Sequence, residues 1–203
     1  MTNEPTQTQT ADDEDSVTIE DPGDTEAVLL EYGVVEPCDE DDLCVTDDLD
    51  AEWREQMDAL REGDRAAQLT SFFGFDDEDL DVEIDVTIEM TEEGYVFVRA
   101  NNRLAARWES DAAALADLAG AEVLSEWLPG WDRLSLEEKS QLTNGLRAFV
   151  EACPTCGGDI SLSEETVESC CRTRETYAIF CDDCDSRLIE VNKLSRKEKN
   201  APE

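Results

Sequence analysis

The chain has 203 residues, 53 of them acidic and 16 basic, for a formal net charge of −37, and it contains no histidine. That charge discourages contact with polyanions over most of the surface, because phosphate contacts need Lys and Arg. The missing histidine removes the usual general base, the Ser-His and Cys-His nucleophile systems and every imidazole metal ligand.

Hydrophobic residues make up 40 % of the chain, enough for a core. No run approaches the roughly 20 apolar residues of a membrane span. The start Met1-Thr2-Asn3-Glu4-Pro5 lacks the basic and apolar regions of a secretory leader. These features predict a cytoplasmic protein with reduced cysteines and no membrane contact. Residues 1–24 are Thr, Gln, Asp and Glu with little to bury, so a disordered acidic tail is expected there.

A helical segment is expected over residues 25–75. Glu26 to Tyr32 reads as a short helix stopped by Gly33, with Val34 and Val35 following. Cys38, an acidic turn and Leu43-Cys44-Val45 suggest a hairpin. Both cysteines read as small buried hydrophobes, the alternative being a second metal site shared with Cys170 and Cys171. Asp47 or Asp48 could cap a second helix, whose Leu49, Trp53, Met57 and Leu60 recur at spacings of four, four and three. Phe72, Phe73 and Phe75 form an aromatic cluster before an acidic linker at 76–81.

The segment 76–150 reads as an α+β core. Val82, Ile84, Val86, Ile88 and Met90 alternate with polar residues, the period of a half-buried strand. Tyr95 to Arg99 and Arg103 to Trp108 supply two more strands, joined by Asn101-Asn102, a pair tolerant of positive φ. A three-stranded antiparallel meander follows. Its Arg99, Arg103 and Arg107 are expected to pair with carboxylates across the polar face, or else to form an anion-binding patch. Ser110 or Asp111 caps a helix running to about Leu128, broken by Pro129-Gly130. Ser135 and Glu138 match a capping box, opening a helix that carries Leu136, Leu142, Leu146, Phe149 and Val150. The two helices are expected to cover the apolar face of the meander.

The strongest chemical signal lies in residues 151–192. Cys153-Pro154-Thr155-Cys156-Gly157-Gly158 is answered, after 24 intervening residues, by Cys181-Asp182-Asp183-Cys184. Two such pairs supply four thiolates, enough to close a tetrahedral site with zinc–sulfur distances of about 2.3 Å. The pattern resembles a zinc ribbon, similar to the small Cys-Pro-x-Cys-Gly proteins abundant in halophilic archaea. The acidic composition resembles halophile proteins as well. The resemblance implies strands at 159–162, 176–180 and 187–191, zinc as cofactor, and Cys153, Cys156, Cys181 and Cys184 as ligands. Cys170 or Cys171 could replace one of them. Cys-Pro-Thr-Cys also resembles the motif of glutaredoxin-type oxidoreductases, but there it opens a helix, whereas here it follows one and meets Gly157-Gly158.

Residues 151–203 hold 7 bases and 12 acids, against 9 and 41 in residues 1–150, so positive charge gathers on and after the cysteine module. Arg172, Arg174, Arg187, Lys193, Arg196, Lys197 and Lys199 are candidate contacts for an anion or an acidic partner, with 193–203 a basic tail. The expectation is an α+β protein with a C-terminal four-cysteine zinc ribbon, without enzymatic activity, acting as an adaptor or regulator through an unidentified protein partner. A nucleic-acid-binding transcriptional regulator and a thiol–disulfide oxidoreductase using Cys153 and Cys156 are the alternatives.

Overall fold

The computed structural model describes residues 22–39, 42–74, 85–169 and 172–192, with the side chains of 22–24, 164–176 and 192 left aside. The expected acidic tail up to residue 21, Phe75 with the 76–81 linker, the strand residues Val82 and Ile84, Cys170, Cys171 and the tail from Lys193 fall outside the described residues.

Helix α1 (Pro22–Glu31) ends at Gly33, where φ is 69° and the lack of a Cβ avoids the strain a side chain would suffer. A hairpin follows, β1 (Val35–Asp39) with β2 (Asp42–Val45). It carries Cys38, at the irregularity between Pro37 and Asp39, and Cys44, across from Glu36, joined as a disulfide with Cα atoms 5.7 Å apart. This corrects the reading of both as buried free thiols. Both residues are exposed, and the antiparallel register, shifted between Pro37 and Asp39, brings together side chains six positions apart in sequence.

Helix α2 (Asp47–Arg61) has Asp47, Asp48 and Asp50 in its first turn and Arg61 in its last, the arrangement that the helix dipole favours. Its apolar stripe of Leu49, Trp53 and Met57 is buried as the spacing predicts. A short helix α3 (Arg65–Phe72), capped by Asp64, was not foreseen from the sequence pattern.

The meander is β3 (Val86–Met90), β4 (Val96–Ala100) and β5 (Arg103–Trp108), antiparallel in that order. Asn101 and Asn102 take φ of 50° and 62° in its second turn, as expected. Helix α4 (Asp111–Trp127) is capped by the Ser110 hydroxyl, which accepts from the Ala113 N–H at 3.1 Å. Gly130 at φ 77° and a 3-10 turn lead to α5 (Leu136–Arg147), whose capping box of Ser135 and Glu138 forms as predicted.

The molecule is organised around α4. Ten consecutive residues, Ala112 to Ala121, are buried, so this helix is enclosed by neighbours rather than laid on a surface. Its alanines and Gly120 let other elements approach closely. Gly120 sits where an added Cβ would lie 3.3 Å from Leu146 and 3.5 Å from the Trp53 ring. Trp53, 1 % exposed, donates its indole N–H to the Ala116 carbonyl at 3.0 Å. One core joins α1, the β1–β2 hairpin, α2, α4 and α5. A second joins the meander to α3 and α4 through Leu69, Val96, Val98, Trp108, Ala113, Ala114 and Leu118. Each fully buried large side chain contributes about 1.5–3 kcal/mol. The helices over the sheet are thus α4 and α3 with Phe72 and Phe73, while α5 packs away from it against α1 and α4. The residues before the meander belong to the body.

One ion network lies inside. Arg147 (4 % exposed) reaches Glu109 at 3.2 Å and Asp117 at 3.3 Å. Trp108 donates its indole N–H to Asp117 at 2.8 Å. The Arg147 Nε and Asp117 Oδ1 atoms are close enough for charge attraction but not aligned for a hydrogen bond. Burial pushes the Asp117 carboxyl up to about 6, against the opposing pull of Arg147 and the Trp108 hydrogen bond.

Candidate metal centre

The C-terminal module is a three-stranded antiparallel sheet: β6 (Ile160–Ser169), β7 (Arg172–Cys181) and β8 (Arg187–Asn192). The expected strands are present, but β6 and β7 run on into a hairpin reaching Ser169 and Arg172.

Each Cys-x-x-Cys is built as the same turn. The Cys153 N–H donates to the Gly158 carbonyl (2.9 Å), and the Gly157 N–H donates back to Cys153 (2.8 Å). In the second turn, the Cys181 N–H donates to Ser186 (3.0 Å) and the Asp185 N–H to Cys181 (3.0 Å). The fifth position of each turn is left-handed, Gly157 at φ 74° and Asp185 at φ 57°; aspartate is one of the few side chains that tolerate this. Gly158 answers a second need. A Cβ there would come within 2.8 Å of the Asp183 Cβ, so its lack of side chain lets the two turns face each other closely.

The outcome is four sulfurs, from Cys153, Cys156, Cys181 and Cys184, all within 4.8 Å of one another. Cys153 and Cys184 are 3.7 Å apart, and Cys156 and Cys181 are 3.5 Å apart. A tetrahedron with metal–sulfur bonds of about 2.3 Å has sulfur–sulfur edges of about 3.8 Å. The donors therefore already stand close to the separations a tetrahedral ion demands, with none of the bonds a disulfide would require. Cys153 and Cys181 are buried, Cys156 and Cys184 exposed.

The protonation of the group carries the same message. Burial opposes the Cys184 thiolate, yet hydrogen bonding to the Ser186 hydroxyl and backbone, and to Cys156 and Cys181, brings it down to about 6. The Gly158 backbone N–H favours the Cys156 thiolate, but its sulfur neighbours Cys181 and Cys184 prevail and push it up to about 12. Burial raises Cys181. Four adjacent thiolates repel one another, so without a cation the cluster keeps most of its protons. A divalent ion displaces those protons and turns the repulsion into binding. Thiolate donors suit a soft or borderline ion.

The module is fastened to the body at several points. Ala112 of α4 shares a small buried cluster with Cys153, Cys181 and Leu188. The Ser110 hydroxyl donates to the Arg187 carbonyl at 2.6 Å, so a single residue caps α4 and anchors β8. Arg61 at the end of α2 donates to the Pro154 carbonyl, inside the first turn, at 2.8 Å. Arg187 donates to the Tyr95 hydroxyl at 3.0 Å and to Glu190 at 2.9 Å, linking β8 to the meander.

Of the other anticipated contact residues, Arg187 is thus engaged with Tyr95 and Glu190. The side chains of Arg172 and Arg174, and Lys193, Arg196, Lys197 and Lys199, lie outside the described residues. Of the meander arginines, Arg99 comes within 3.7 Å of Glu89, while Arg107 lies over the Tyr95 ring at 5.0 Å. No helix among the described residues is long and apolar enough to cross a membrane. The contacts from Ser110, Arg61 and Tyr95 to the module had no signal in the sequence.

No curated protein and no solved structure gives a match. Two family models do, and their matches meet between α5 and the first cysteine turn. Residues 24–148 match the central domain, and residues 151–191 the C-terminal domain, of one family of unknown function (DUF8054). The first match alone spans more than half of the chain, and the protein belongs to that family.

Proposed function

We propose that this protein is a non-enzymatic, zinc-stapled adaptor, in which Cys153, Cys156, Cys181 and Cys184 hold one structural zinc ion. The supporting observation is the sulfur cluster itself, four thiols at near-tetrahedral separations. Zinc suits four thiolates in this geometry and undergoes no redox change. A shell of four cysteines is closed: it leaves no position for the water that a catalytic zinc activates. The same closure argues against thiol–disulfide exchange, because both Cys-x-x-Cys pairs are committed to one ion.

The work of the ion is to hold the two turns in register, and with them Pro154, Leu188 and Arg187, which grip α2, α4 and the meander. The adaptor presents body and module to a protein partner as one surface. Hydrogen exchange on the full chain with and without a strong chelator tests this reading. Metal removal is expected to raise exchange in residues 153–191 and at the Ser110 and Tyr95 contacts, leaving the amides of α2 and α5 protected. Unchanged exchange at the cysteine turns would refute a structural ion there.

A further inference from the structure

The face of the meander turned away from α3 and α4 differs from the rest of this acidic chain. From Gly94 to Trp108 the sequence contains no acidic residue but three arginines. The register places Phe97 and Arg99 of β4 on that face, with Arg107 beside Phe97, and Tyr95, just before the strand, packs its ring near Phe97. The alternate positions Val96, Val98 and Trp108 are buried against the helices. The two rings lie with centroids 6.3 Å apart, tilted by 40°. The Arg107 guanidinium covers Tyr95 at 5.0 Å, and Arg187 donates to the Tyr95 hydroxyl at 3.0 Å. A strip of rings and guanidinium groups therefore runs from β8 of the cysteine module across β4. Arg107 is exposed, Tyr95 and Phe97 half-buried, and no carboxylate among the described residues pairs with Arg107.

We propose that this strip binds single-stranded RNA, with bases stacking on Phe97 and on the Arg107 guanidinium that covers Tyr95, and phosphates meeting Arg107 and Arg99. A sheet face carrying neighbouring rings offers successive bases a flat apolar partner, and guanidinium groups beside the rings supply both stacking and bidentate phosphate contacts. An acidic peptide would use the arginines but has no need of the rings. Two carboxylates border the strip, Glu89 at 3.7 Å from Arg99 and Glu190 at 2.9 Å from Arg187. They repel a phosphate but accept a hydrogen bond from a ribose 2′-hydroxyl, which a deoxy strand cannot donate. The net charge of −37 repels a polyanion at long range, and molar salt shortens that repulsion to about 3 Å while leaving stacking intact.

Fluorescence anisotropy of a labelled oligouridylate of about twelve nucleotides, titrated with the full zinc-loaded chain, tests the assignment. Saturable binding is expected to persist between about 0.1 M and about 1 M KCl, whereas a basic nucleic-acid binder loses orders of magnitude over a similar rise. Phe97→Ala and Arg107→Gln are each expected to weaken binding about tenfold, the scale of losing one stacked base. Arg54→Gln on α2 serves as the unaffected control. Should Phe97→Ala fail to fold, the exposed Arg107→Gln still decides the matter. No saturable binding, no loss in Arg107→Gln, or equal capture of a polyglutamate peptide would overturn the proposal. An oligothymidylate held as tightly as the RNA would overturn the assignment to RNA, and self-association through this face that excludes the oligonucleotide would overturn the site.

Discussion

Replacing Arg147 with methionine probes the interior most sharply. Arg147 is 4 % exposed, and its partners are nearly as enclosed, the Glu109 side chain 16 % and the Asp117 side chain 7 % exposed. Methionine keeps most of the stem and so opens little cavity, which leaves the loss of charge as the main effect. Removing one partner of a buried ion network costs about 3–5 kcal/mol, chiefly because an uncompensated charge remains. The loss carries a pH signature of known sign. Asp117 titrates at about 6 in the folded chain, above the ordinary value of 3.8. Its proton therefore favours the fold below the unfolded value, and that contribution is lost as pH rises through about 6. Without Arg147, the pull that lowers the carboxyl disappears, and the window extends upward. Urea unfolding of both proteins by tryptophan fluorescence, at about pH 8 and about pH 5.5, should show a deficit of about 3 kcal/mol at the higher pH that shrinks at the lower. Both proteins share the cysteine cluster, so any effect of acid on it cancels in the difference. A deficit under about 1 kcal/mol at both values, or one that grows toward acid, would refute the buried-network reasoning.

Other expectations follow from the cysteine turns and the hairpin. Gly158→Ala drives a Cβ against Asp183 of the facing turn, so metal affinity should fall about tenfold or more, the scale of losing a ligand-orienting contact; competition with a chromophoric chelator reads it. In metal-free protein near neutral pH, iodoacetamide should modify Cys184 well before Cys156, since the one titrates at about 6 and the other at about 12; peptide mass mapping gives the order. Cys38→Ser opens a loop of sequence separation 6 and should cost about 2 kcal/mol by the chain-entropy relation, seen as a lower Tm that reductant no longer changes.

Local signals carried the elements they specify. Ser135 and Glu138 bond each other's backbone at the start of α5, Asn101 and Asn102 adopt positive φ, and Trp53 lies on the buried stripe that its spacing defines. The four clustered cysteines were legible because two Cys-x-x-Cys turns were spelled out, the first with its glycines. Other features depend on partners remote in sequence. Residues 163–175 are mostly Ser, Glu, Thr and Arg with little apolar alternation, so the long β6–β7 hairpin had no pattern to reveal it. Helix α4 is alanine-rich and enclosed, and periodicity cannot name a face for a helix that buries nearly all of them. Asp117 reads as one more surface acid until Arg147, distant in sequence, arrives beside it. The Cys38–Cys44 bond depends on a register shift in a short hairpin, and the four free thiols of the cysteine module point instead toward reduced cysteines.

The role given to the cysteine module depends on one ion held by Cys153, Cys156, Cys181 and Cys184. Metal content by mass spectrometry on protein purified in molar KCl, with thiols counted before and after chelation, addresses it directly. One zinc per chain, with four thiols released by the chelator, is the expected result. A metal-free protein with Cys153 and Cys156 joined in a readily reduced disulfide would contradict it and put thiol exchange in its place.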